Sequence, residues 1–151
     1  MKPKNILSLA IALPLIAACS TTTHVPTPSE MNAAMREITG QNGRACVRIH
    51  DIQGYGALSD SVISVSSKFR KQYIMVTMHR CPAIESGAHM GFKGAFTDFC
   101  GGGRDSVHAG EGRCPVQSVY EFDDRDAAFA AHDKAEEMIK KQRGTTEETE
   151  E

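Results

Sequence analysis

Cys46, Cys81, Cys100 and Cys114, with six histidines, are the side chains of this sequence with the most chemical capacity. A thiolate can attack a carbonyl, ligate zinc or exchange with a disulfide, and each use asks for its own setting. Structural zinc sites draw on C-x2-C and H-x3-H pairs, and neither occurs here. His79 and Cys81 flank Arg80, and His89, Cys100, His108 and Cys114 follow without ligand spacing. The haem-attachment run C-x-x-C-H and a thioredoxin-like C-x-x-C are absent as well. Ser59, Ser61, His79 and Asp105 supply the types for hydrolysis, but no G-x-S-x-G elbow accompanies them. Gly101-Gly102-Gly103-Arg104 could wrap an anion in backbone N–H groups. It lacks the Lys-Ser/Thr of a P-loop and no helical pattern follows it, so a plain loop after Cys100 is expected. No catalytic residue, metal or cofactor is assigned on these grounds. The use left to the four cysteines is to pair with one another.

The N-terminus supports that use. Lys2 and Lys4 precede an apolar run from Ile6 to Ala18, closed by the small residues Ala17 and Ala18. The run is too short to span a bilayer as a stable helix and reads as a secretory signal peptide. Leu15-Ile16-Ala17-Ala18-Cys19 resembles the lipobox of bacterial lipoproteins. The resemblance implies that the Cys19 thiol takes a diacylglycerol and becomes the new N-terminus. Ser20 rather than Asp follows it, which by resemblance to enterobacterial sorting implies the outer membrane. An ordinary signal peptide with a chance cysteine is the alternative. Either way the mature chain is expected outside the cytoplasm, where disulfides persist.

Five cysteines less Cys19 leave an even number. Sequence alone leaves all three connectivities open. The expected pairing is Cys46–Cys114, joining the first and last core strands, with Cys81–Cys100 closing an internal loop. The runner-up is Cys46–Cys81 with Cys100–Cys114. Each bridge is expected to contribute roughly 3 kcal/mol by restricting the unfolded chain.

The elements that would position these groups follow from periodicity. The chain has 151 residues, 40% hydrophobic, with no tryptophan and a net charge of -2. That is room for one domain with a modest core, and no basic excess points to nucleic acid. Thr21 to Pro28 is polar and reads as a tether. Thr27, Pro28 and Glu30 form a capping box with proline at the first helical position. Met31, Ala34, Met35 and Ile38 then share one face, and Gly40 is the stop.

Strands are expected over Ala45–Ile49, Ser59–Ser66, Gln72–Met78, Gly91–Phe99, Ser106–His108 and Cys114–Phe122, with a bend over Asp51–Gly56. Lys68, Arg70 and Lys71 would sit at a solvated hairpin tip. Arg48 and Arg80 are expected to pair with Asp60 or Asp105. Asp123 to Gly144 carries acids at its start and Lys140, Lys141 and Arg143 at its end, as a helix dipole favours. Its stripe of Ala128, Ala131, Ala135 and Met138 is shallow, so it either docks weakly or extends away. Gly144 is expected to end it.

A wider pattern then emerges. Cys46 is followed by Arg48 and Ile49, Asp60 precedes an apolar strand, and Tyr73 lies in a strand ending at Cys81-Pro82. Gly91-Phe92, Cys100 with Asp105 shortly after, and Cys114 complete the set. In this order they resemble a family of small proteobacterial lipoproteins known as a domain of unknown function. The resemblance covers Cys46 to Val119 and leaves the C-terminal helix outside. It implies a disulfide framework and an envelope location, and no activity.

The expected architecture is α+β. It is a small antiparallel β domain of about five or six short strands, able to curl into a partly open barrel, with an N-terminal and a C-terminal helix and two disulfides. The expected divisions are a signal peptide (1–18), a lipidated tether (19–28), the stapled domain with its helix (29–122), the C-terminal helix (123–143) and a disordered acidic tail (144–151). The expected function is a non-catalytic binding or structural module, lipid-anchored to the outer membrane and facing the periplasm. Its expected partner is an envelope protein or peptidoglycan, and no nucleic acid. The alternative is a periplasmic enzyme or metal-handling protein using His79, His89 or His108.

Overall fold

Thr27 opens the first helix, α1 (Pro28–Thr39), through both halves of a capping box. Its backbone N–H donates to Glu30 Oε2 at 2.8 Å, and its hydroxyl accepts from the Glu30 N–H at 3.4 Å. Gly40, at φ 67°, closes the helix by donating to Arg36 O, a left-handed position that glycine adopts without a Cβ penalty. The computed structural model describes residues 25–86 and 89–147. The expected signal peptide, Cys19, most of the tether and the last residues of the acidic tail lie outside them.

The strands that follow are β1 (Cys46–Arg48), β2 (Ile52–Ala57), β3 (Val62–Ser67), β4 (Gln72–Thr77), β5 (Met90–Lys93), β6 (Asp98–Cys100), β7 (Ser106–Ala109) and β8 (Gly112–Phe122). A one-turn helix, α2 (Ala83–Ser86), separates β4 from β5, and α3 (Arg125–Glu147) ends the described chain. Six strands form one antiparallel sheet in the order β2-β3-β4-β8-β7-β5, and β1 pairs with β6 as a separate ribbon. The sheet curls until its two edges meet. Tyr55 on β2 accepts the Met90 N–H of β5 through its hydroxyl at 2.9 Å, and its ring packs on Phe92 at 5.6 Å. The result is a nearly closed six-stranded barrel, flanked by helices, with two disulfides.

Alternation along β4 shows why its sequence is apolar throughout. Tyr73 and Met75 point into the barrel with Ile63, Val65, Phe99 and Val119. Ile74 and Val76 point outward, onto Met31 and Met35 of α1 and Ala135 and Ile139 of α3. A central strand buried on both faces loses its polar alternation. Fully burying a side chain of this size contributes about 1.5–3 kcal/mol, so the helices complete a second core. The shallow alanine stripe therefore docks. Small residues let α3 approach closely, and Ala128 and Ala135 are buried together with His132.

Several expectations are corrected. Asp51–Gly56 is not merely a bend, because Ile52–Ala57 is the edge strand β2. Gly91–Phe99 is two strands, β5 and β6, in different sheets. Between them the chain turns at Gly94, where a Cβ would lie 3.1 Å from both Phe96 O and Asp98 O. The last helix runs to Glu147, past Gly144, which has an ordinary helical place with open space around it.

The disulfides are Cys46–Cys100 and Cys81–Cys114. This differs from both the expected pairing (Cys46–Cys114 with Cys81–Cys100) and its runner-up (Cys46–Cys81 with Cys100–Cys114). The expectation assumed that the first strand runs beside the last along its length. Only Arg44 and Ala45 do so, through Ala45 N–H to Val119 O and Val119 N–H to Gly43 O. The chain then leaves β8, and Cys46 sits directly across from Cys100 with Cα atoms 4.3 Å apart. Cys81 follows β4, whose extension bonds Met78 N–H to Pro115 O at 2.9 Å and so brings it to Cys114.

Candidate functional site

A cleft of about 690 Å³ opens beside the β1–β6 ribbon. Arg44, Phe96, Asp98, Arg104 and Asp105 line it, with the backbone of Cys100–Gly102 as floor. Gly101 permits the floor to form. A Cβ there would lie 2.2 Å from Gly43 O, so two backbone segments meet where only glycine fits. The expected anion wrap does not form. Gly102 N–H donates to Gln117 O and Gly103 N–H to Val116 O, both at 2.8 Å, so these donors belong to the edge of β8.

Asp105 sets the rest. It is 5% exposed and carries no facing cation; instead Oδ1 accepts the Ala95 N–H at 3.0 Å and Oδ2 the Cys100 N–H at 2.6 Å. One buried carboxylate thus ties the loop between β5 and β6, at Ala95, and the end of β6, at Cys100, to the start of β7. Arg44 lies over Gly102, with Nη1 donating to Gly101 O at 3.4 Å. Arg104 is exposed and has no carboxylate partner among the described residues. Phe96 stands 79% exposed on the rim. Two guanidinium groups and an aromatic ring around an open floor suit binding by charge-assisted hydrogen bonds and stacking. Cys100 contributes no thiol, being bridged.

The sequence-derived candidates fall elsewhere. His79 and His89 are exposed on the connections around α2, and His108 is half-buried on β7. Among the described residues no three His, Cys, Asp or Glu side chains are grouped to hold a metal ion. Ser59 and Ser61 hydrogen-bond each other at 3.4 Å, and neither has a hydrogen bond to a histidine ring among the described residues. Arg80 does pair with Asp60, at 3.1 Å, as expected; Arg48 has no carboxylate partner among the described residues. At the hairpin tip Lys68 lies 3.6 Å from Asp51, and Lys71 lies 3.1 Å from Glu121 and 2.6 Å from Asp123. Hydrogen bonds donated to the Asp123 and Glu121 carboxylates push the Lys71 ammonium up to about 12.

Sequence reasoning overlooked three features. Ser106 Oγ and His108 Nε2 are 3.2 Å apart, with Arg113 Nε donating to the same hydroxyl at 3.4 Å. Their i,i+2 spacing on a strand was the available signal. His132 is 5% exposed on the inner face of α3, with Nδ1 3.5 Å from Asp133 Oδ1; it sits one turn from Ala128 and Ala135. Phe96 carried no signal, since a lone aromatic in a loop reads as ordinary surface.

Compared with known proteins, the chain matches a family model described as Family of unknown function (DUF6491) over residues 2–138. The match spans both disulfides and most of α3, so the C-terminal helix lies inside the family unit rather than beyond it. No curated protein and no solved structure matches the chain.

Proposed function

We infer, from the premise that the chain belongs to the Family of unknown function (DUF6491), that it is a non-catalytic binding module of the bacterial cell envelope. Cys19 carries the lipid anchor, and the domain faces the periplasm from the outer membrane. The cleft beside Asp105 is the binding surface, and its partner is an envelope protein or peptidoglycan. The observation that carries the reading is the pairing of all four domain cysteines, Cys46 with Cys100 and Cys81 with Cys114. Such pairing fits an oxidising compartment, in agreement with the apolar leader that ends at Cys19. It also withdraws the thiols from catalysis and metal binding, leaving Phe96 and the two cleft arginines as the exposed chemistry.

Metabolic labelling with an alkyne palmitate, followed by membrane fractionation, tests the anchor. The wild-type chain is expected in the membrane fraction with label. Cys19→Ala is expected to lose both. Membrane retention of the unlabelled variant would overturn the reading.

A further inference from the structure

The tether is clamped where it reaches the domain. Arg80 Nη1 pairs with Asp60 Oδ2 at 3.1 Å, and Arg80 Nη2 donates to Val25 O at 2.5 Å. Arg80 lies three residues past the end of β4, so Val25 is held at the end of the barrel where β4 finishes. From Cys19 to Val25 the chain advances six residues, which span at most about 21 Å when fully extended. The opposite end of the barrel lies beyond the length of β4, about 20 Å further for a six-residue strand.

The clamped end carries exposed apolar side chains and cations. Met78 is 53% and Val25 41% exposed there. Met78 N–H bonds Pro115 O, Pro115 lies across from Ser106, and Ser106 lies across from Lys93. Arg113 reaches the same Ser106 hydroxyl at 3.4 Å. A Cβ on Gly103 would sit 2.9 Å from Met78 Sδ, which places Arg104 alongside. Lys93, Arg104 and Arg113 have no carboxylate partner among the described residues; the acids at this end are Asp60, which is taken by Arg80, Glu85 on α2, Glu111 in the β7–β8 turn, and Asp98 and Asp105 in the cleft beside Arg104. At the far end Lys68 and Lys71 are matched by Asp51, Glu121 and Asp123, while Phe69 is 71% exposed and Arg70 has no carboxylate partner among the described residues, so it is the clamped tether that tells the two ends apart.

We propose that the barrel end carrying Val25, Met78, Lys93 and Arg113 is the surface that faces a lipid bilayer with anionic headgroups, oriented by the Arg80 clamp. The inference rests on acylation at Cys19. Unpaired cations beside exposed apolar side chains suit an anionic interface, and the short tether keeps them within reach of it.

The chain has no tryptophan, so Met78→Trp and Phe69→Trp each place a single fluorophore at one end. Both positions are exposed, at 53% and 71%. Each acylated full-length variant is reconstituted into phosphatidylethanolamine/phosphatidylglycerol vesicles bearing dansyl headgroups, and energy transfer is read after flotation. Transfer from position 78 is expected to exceed that from position 69 by at least about twofold, given their separation of about 20 Å or more. Arg80→Ala in both backgrounds is expected to bring the two values together. Equal transfer, or more from position 69, in vesicles that float would overturn the orientation and leave the anchor standing. An unchanged ratio on Arg80→Ala would overturn the clamp. Failure of the acylated variants to float would overturn the anchor and the orientation with it.

Discussion

Replacing Asp105 with alanine removes the one group that holds both walls of the cleft. Its two oxygens accept the Ala95 and Cys100 amides at 3.0 and 2.6 Å from a nearly buried position. Hydrogen bonds to a charged group contribute about 1.5–3 kcal/mol each, so the pair amounts to about 3–6 kcal/mol. Alanine also removes the cost of burying the carboxylate, and water in the cleft can reach the freed amides. The net loss is therefore expected at about 2–4 kcal/mol. At about 4 °C per kcal/mol for a domain of this size, Tm falls by about 8–16 °C. Asp105→Asn keeps one acceptor and is expected to lose about half as much. Thermal unfolding by circular dichroism measures the loss, and hydrogen exchange at the Ala95 and Cys100 amides locates it. An Asp105→Ala variant that melts within about 2 °C of wild type, or that leaves both amides protected, would refute the assignment.

Two further outcomes follow from the packing around the helices and from the bridges. Burial raises the Glu30 carboxyl, but the Thr27 hydroxyl, the Thr27 backbone N–H and the Arg143 guanidinium outweigh it and hold the group down at about 2. A carboxyl lowered on folding adds stability that is complete above its unfolded value of 4.5 and is lost as pH falls toward 2. With the side chain 30% exposed, Glu30→Gln is expected to cost about 1–2 kcal/mol at pH 7 after allowance for screening. Urea unfolding should show that gap closing at about pH 2, and a gap that persists there would count against the assignment. Non-reducing peptide mapping is expected to recover Cys46–Cys100 and Cys81–Cys114 fragments. Replacing Cys81 and Cys114 together by alanine opens a closure of 33 residues and is expected to cost about 3–4 kcal/mol; recovery of a Cys46–Cys114 fragment would sink the topology.

Where a feature is written in adjacent residues, the sequence revealed it. The cap of α1 needs Thr27, Pro28 and Glu30 in order, and it forms with both hydrogen bonds in place. The β3–β4 hairpin and the start of α3 were legible for the same reason. What escaped were decisions made by distant segments. β2 holds two glycines, which argue for a bend; yet Gly54 and Gly56 lie against Ser66 and Ser64, where a Cβ would meet each hydroxyl at 2.9 and 3.4 Å. Glycine there serves close packing of an edge strand. Gly144 looked like a stop, but a helix ends at glycine only where the chain needs a left-handed residue, and nothing crowds it here.

The disulfide topology and the cleft escaped together because they have one cause. Once Gly43 and Ala45 have bonded to Val119, the free edge of β8 beyond is taken by Gly102 and Gly103. β1 therefore cannot continue along β8, and it crosses to β6. That crossing sets Cys46 against Cys100, and the space left where the chain departs is the cleft lined by Arg44, Gly101 and Gly102. Cys100 is at once half of a bridge and part of the cleft wall. The bridge thus also fixes the shape of the cleft, so reduction of Cys46–Cys100 is expected to loosen the cleft before it unfolds the barrel.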